Sequence, residues 1–130
     1  MKAKVIKASE SAAKLPEISN IGESDAVLVN KDEVGYGLIR AKFQNRVPIP
    51  EMHDSADDIY FIVGGKGTVY LGGEMVDVKE ISQGEYIGKS LKGSTATLVE
   101  VNDIVSIPRK TPHMLGCPEG EVEFYIVKIY

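Results

Sequence analysis

From Ala26 onward the chain is built of short runs rich in Val, Ile, Tyr and Phe, separated by Gly, Pro, Asn and Asp. Period-2 alternation within such runs and turn-forming residues between them are the grammar of β-strands. The pattern predicts strands over residues 26–29, 35–43, 59–63, 68–71, 74–78, 96–101, 104–107 and 123–129. Gly64-Gly65-Lys66-Gly67 and Gly72-Gly73 are read as turns, because glycine adopts positive φ without steric cost. Only residues 8–15 suggest a helix, a short one ended by Pro16. Many closely spaced strands with at most one short helix indicate an all-β, antiparallel barrel or sandwich.

Two runs depart from alternation. Ile59-Tyr60-Phe61-Ile62-Val63 and Phe124-Tyr125-Ile126-Val127 are apolar at every position, so both faces of those strands need cover. One face can be the interior; the other requires a second sheet, the N-terminal segment or another subunit, and a homodimer is the expectation.

Composition narrows the class. With 43% hydrophobic and 26% charged residues, a chain of 130 residues has the make-up of one globular domain, residues 1–130. A net charge of −4 with interleaved signs offers no basic stripe for nucleic acid. No apolar run has the length of a membrane span, and MKAKVIKASESAAKL lacks the apolar core of a signal peptide. A single cysteine, Cys117, cannot form an internal disulfide and is read as a small packing residue. The expectation is a cytoplasmic protein that contacts neither nucleic acid nor membrane.

The candidate chemistry centres on the two histidines. In IPEMHDSADDIY, Glu51 and His53 are two apart and share a face if extended, and a turn can return Asp58 beside them. In VNDIVSIPRKTPHML, a strand ends at Pro108 and a loop stiffened by Pro112 presents His113. Two imidazoles with one or two carboxylates suit one divalent ion such as Fe, Mn, Ni or Zn, with positions left for water or substrate. Tyr36, Arg40 and Lys42 share one strand face, and Tyr60 shares a face with Asp58. Tyr60 and Arg40 are therefore candidate catalytic residues, the first as an acid and the second as a receptor for an anionic substrate.

These segments resemble the two short motifs of the cupins. His53, Asp58 and Gly65 match the latter part of the first motif, and Asp103-Ile104-Val105, Ile107-Pro108 and Pro112-His113 follow the second, over about residues 47–115. The resemblance implies a double-sheet jelly-roll barrel with a metal held by Glu51, His53, Asp58 and His113. Departures are Glu51 at the first histidine position, Asp58 at the glutamate position, and Asn45, Asn102 and Lys110 at positions that are usually glycine. Cys117 stands where the second motif often ends in asparagine. The stretch between Gly73 and Val101, with Gly84-Glu85-Tyr86, is longer than compact cupins need and is expected to form an excursion or lid.

The resemblance implies a metal-dependent dioxygenase, isomerase or lyase acting on a small oxygenated molecule such as a carboxylate. Two alternatives stand beside it: a non-catalytic module binding a sugar or other small ligand, and a metal-free lyase or isomerase using a histidine as general base.

Overall fold

The structure, a computed structural model, describes residues 2–130. Its elements in chain order are α1 (Ala8–Ala13), β1 (Glu23–Val29), α2 (Lys31–Val34), β2 (Tyr36–Arg46), β3 (Glu51–His53), β4 (Asp57–Leu71) and β5 (Glu74–Val76). They continue with β6 (Lys79–Ser82), β7 (Glu85–Ile87), β8 (Ser90–Lys92), β9 (Thr95–Glu100), β10 (Ile104–Ile107) and β11 (His113–Ile129). All strand pairs are antiparallel.

Two long strands organise the barrel, and both differ from the sequence expectation. Residues 59–63 and 68–71 belong to one continuous strand, β4, and the final strand begins at His113 instead of residue 123. The glycines between the two apolar runs bend β4 without ending it. At that bend the register against β11 jumps from Gly116↔Thr68 to Val122↔Gly65, so β11 bulges where β4 turns. Gly65 has φ +63°, and a Cβ there would strike the carbonyl of Glu121. A bulge that re-aims both strands lets each serve two sheet faces in turn.

The sheet runs β1, β2, β11 and β4, with β10 along the first half of β4 and β9 along its second half. Beyond the kink at Pro48 and Pro50, β3 pairs with the start of β11 through His113↔Glu51 and carries β7 and β6 on its other edge. The expected excursion is thus a β6–β7 hairpin that extends the sheet beside the site, together with a separate β5–β8 ribbon.

Alternation decides what faces inward. Ile39, Ala41 and Phe43 of β2, Asp58 and Tyr60 of β4, and Phe124, Ile126 and Lys128 of β11 line one cavity. Beneath it Ile62, Val69, Val99, Val105, Ile107, Leu115, Cys117 and Val122 form the core. The Phe124 ring meets Phe43 edge-on at 5.1 Å and Tyr60 at 5.0 Å. Burying a ring of that size contributes about 2–3 kcal/mol.

The same alternation sends Arg40 outward. It lies on the barrel's outer face under the N-terminal segment, donating through Nη1 to Ser11 Oγ (3.0 Å) and Tyr125 Oη (2.9 Å) and through Nη2 to Glu123 Oε2 (2.6 Å). Lys42 sits beside it, within 3.4 Å of Glu121. The reading of Arg40 as a catalytic receptor for an anionic substrate is corrected accordingly: with Ile39, Ala41 and Phe43 facing in, residues 40 and 42 must face out. Helix α1, too short to persist alone, is held by the Ser11 hydroxyl against Tyr125 Oη at 2.8 Å. It covers part of the outer face; Phe61, Val63 and Ile104 remain 38%, 40% and 63% exposed.

Candidate metal centre

Four side chains converge at one end of the cavity. Glu51 and His53 come from β3, Asp58 from the start of β4 and His113 from the start of β11. One donor atom from each lies within 4.8 Å of the other three. His113 Nε2 is 3.1 Å from Glu51 Oε1 and 3.8 Å from Asp58 Oδ2; His53 Nε2 is 3.2 Å from Asp58 Oδ2 and 3.6 Å from Glu51 Oε1. Donors each about 2.0–2.2 Å from one ion stand about 3 Å apart when at right angles, so these separations fit a shared ion.

The backbone explains the convergence. The Lys110 amide donates to the His53 carbonyl at 2.7 Å, and the Gly72 amide to the Pro112 carbonyl at 2.8 Å, tying the loop before His113 to β3 and β4. Pro48, Pro50, Pro108 and Pro112 restrict both approaches to the site.

Outer partners fix the tautomers. His113 Nδ1 lies 2.9 Å from the Thr111 carbonyl, which only accepts, so Nδ1 carries the hydrogen. His53 Nδ1 lies 2.7 Å from the Glu85 carboxylate and carries the hydrogen for the same reason. In the neutral rings both Nε2 atoms then present lone pairs toward carboxylates. His53 Nε2 is buried without a hydrogen-bond partner. Acceptors facing acceptors are unfavourable unless a cation or a proton lies between them. The chemistry of this donor set therefore fits a divalent ion.

Electrostatics agree. Burial disfavours a charged His53, yet the Asp58 and Glu51 carboxylates, 3.2 and 3.6 Å from Nε2, outweigh it and push the imidazole up to about 10. Burial likewise opposes ionised Glu51, but the two histidines hold its carboxyl far below the usual carboxylate range. Asp58, 2% exposed, is kept ionised despite burial by His53 and by Lys128, whose Nζ is 2.8 Å from Oδ1. Burial, then the charges of Glu51, Asp58 and Glu23, push the Tyr60 phenol well above its ordinary value, so it stays protonated. Tyr60 lines the cavity with its ring 6.5 Å from that of His113. Of the residues expected from sequence, Glu51, His53, Asp58 and His113 meet, Tyr60 adjoins them, and Arg40 lies apart.

No family model matches the sequence, and no curated protein matches it. Solved structures do. A protein from Thermotoga maritima described as a predicted oxalate decarboxylase superposes with a TM-score of 0.67 at 17% identity, over 97% of this chain and 98% of that one. KdgF from Halomonas sp. gives 0.61 at 16% identity over 88% and 84%, and a cupin-like protein from Thermotoga maritima gives 0.58 at 14% over 82% and 68%. The chain has the cupin fold.

Within that fold the departures from the motifs become intelligible. Asn45, Asn102 and Lys110, which stand where glycine is usual, have φ of 49°, 77° and 64°. The backbone keeps the left-handed conformation, which asparagine tolerates and lysine adopts at a cost. Sequence reasoning missed Lys128 and the contact of Glu85 with His53. Lys128 was detectable only as the polar residue following Ile126 at inward spacing, and Glu85 only as an acid within the β6–β7 hairpin.

Proposed function

We propose that this cupin is a metal-centred enzyme acting on a small oxygenated organic molecule. Glu51, His53, Asp58 and His113 would hold one divalent ion of the iron, manganese, nickel or zinc kind. The observation that carries the reading is the convergence of both histidine Nε2 atoms on the Glu51 and Asp58 carboxylates, with one donor atom from each of the four residues within 4.8 Å of the others.

When bound, the ion supplies Lewis acidity or a site for dioxygen, the chemistry of a dioxygenase, isomerase or lyase. The chain's own residues do the rest. Glu85 and the Thr111 carbonyl hold the two rings in one tautomer and orientation. Lys128 offsets the buried charge of Asp58. Tyr60, kept protonated, is placed to donate a hydrogen bond or a proton to a bound oxygen. Ile39, Phe43, Ile49 and Ile126 exclude water from the walls. The cavity, about 220 Å³, is below the ~300–1,000 Å³ of drug-sized ligand sites, which suits a small substrate.

A metal-free acid–base site is the second reading, favoured by the His53 imidazole, which holds a proton when no ion competes. A non-catalytic ligand-binding role would use the same cavity. Elemental analysis of the purified protein separates the metal reading from the metal-free one: about one transition metal per chain supports it, and protein that stays metal-free after incubation with each of the four ions overturns it.

We also propose that the protein works in the cytoplasm as a homodimer, joined through the outer face where Phe61 pairs across the sheet with Ile104. Both are exposed, and their burial would contribute roughly 25 cal/mol per Å². Sedimentation is expected to give twice the chain mass at micromolar concentration; a monomer there contradicts it.

Among the described residues, no helix is long and apolar enough to cross a membrane.

A further inference from the structure

The cavity has a second polar wall, away from the metal cluster. Glu23 and Asp25 alternate on β1 and both line the cavity, while Ser24 between them turns away to bond the Pro16 carbonyl at 2.6 Å. Arg46, 7% exposed, joins them from the end of β2. Its Nη1 donates to Glu23 Oε2 at 3.0 Å and to the Ile21 carbonyl at 3.2 Å, and its guanidinium lies 4.5 Å from the centre of the Phe43 ring.

The charge balance of the lining limits what can bind. Its carboxylates are Glu51 and Asp58 in the cluster, Glu85 behind His53, and Glu23 and Asp25 on β1. The cations are Lys128 and Arg46, and the charge of each is offset by a carboxylate, Asp58 and Glu23 respectively, while Arg46 Nε is buried without a hydrogen-bond partner. Five negative charges against these two cations and a divalent ion still leave one negative charge. A substrate carboxylate would find no cation beyond the ion whose charge is not already offset by a carboxylate, and two acids would face it from β1.

We infer that Glu23, Asp25 and Arg46 form a hydroxyl-reading wall, and that the substrate is a small uncharged polyhydroxy compound, such as a short polyol or a monosaccharide. This rests on the metal-centre reading and names its substrate class. A hydroxyl group both donates and accepts, so neighbouring hydroxyls can donate to Glu23 and Asp25 while accepting from Arg46. The apolar walls between the two polar ends suit the C–H faces of such a molecule.

The test uses the manganese-loaded full chain, with metal content measured in every sample, and compares binding of erythritol, D-xylose and D-ribose with that of glycolate and malonate by titration calorimetry. At least one neutral probe is expected to bind more tightly than both acids. Glu23→Gln removes a carboxylate and frees Arg46, so neutral binding should weaken by about tenfold or more, the loss of one charge-assisted hydrogen bond, while glycolate binding strengthens. A merely structural Glu23 would not reverse the preference. Asp25→Asn, at an exposed position that leaves the Arg46–Glu23 pair intact, should weaken neutral binding without helping glycolate. Tighter binding of the acids to the wild type, no binding of any neutral probe, or an unchanged preference in Glu23→Gln overturns the inference while metal content still supports the centre. Wild-type protein that takes up no metal overturns both.

Discussion

On the outer face of the barrel, Arg40 is surrounded by groups that accept from it: Ser11, Tyr125, the Ala8 carbonyl and the Glu123 carboxylate, with only Nε left unpartnered. Inside the barrel the arrangement is the reverse, because the Nε2 atoms of His53 and His113 face the carboxylates of Asp58 and Glu51. Both clusters are polar, both are largely buried and both link distant strands. The outer one satisfies all but Arg40 Nε from within and pins the N-terminal segment. The inner one is complete only when a cation or a proton enters it. Burial of polar groups alone does not mark a site; an arrangement in which metal-ligating atoms converge on one point does.

Breaking the two clusters separately should give opposite phenotypes. His113→Ala removes a proposed ligand and should weaken metal binding by more than about 100-fold, since even indirect partners of metal ligands are worth 10–100-fold. The metal-free variant should remain folded by circular dichroism; metal content unchanged from wild type would show that His113 is not a ligand. Glu123→Ala leaves the Arg40 guanidinium buried without its carboxylate, which should cost about 2 kcal/mol in a urea titration. Metal content should be unaffected, and a matching loss of metal would mean the clusters are not independent.

Smaller changes sharpen the contrast. Glu85→Gln keeps the shape beside His53 but removes the charge that fixes its ring, so metal affinity should drop by about tenfold with little change in stability. At Lys110, φ of 64° strains the backbone of the loop before His113. Lys110→Gly should raise thermal stability by up to about 1 kcal/mol, and a loss of stability would show that the lysine side chain matters more than its backbone.

How much of this was legible in the sequence differs between the two clusters. His53 and His113 stood out because the chain has only two histidines, each beside prolines that limit where its loop can go. Asp58 was expected from a hairpin, whereas β3 pairs with β11 and β7 and β4 with β9, β10 and β11, so only the turn between them returns it to the site. Arg40 could not be assigned to either face, because alternation fixes which residues share a face but not which face is inside. The Gly64 to Gly67 run read as a turn because a bend inside a long strand and a hairpin turn demand the same residues. Lys128 and Glu85 could not be assigned, since their contacts with Asp58 and His53 span 70 and 32 positions and depend on register set by whole strands.

We propose that the inner cluster is a metal centre and that in the metal-free chain a proton on His53 takes the place of the ion. In the metal-free protein that imidazole, raised from 6.5 to about 10, contributes stability that is full below about pH 6.5 and is lost as pH rises through about 10. Metal binding must displace the proton. Titrating metal-free protein with Mn²⁺ or Zn²⁺ at pH 7.5 by calorimetry, in buffers of different ionisation enthalpy, measures both stoichiometry and proton release. The account predicts about one ion per chain with release of about one proton; no uptake of either ion, or uptake with no proton released, would contradict it.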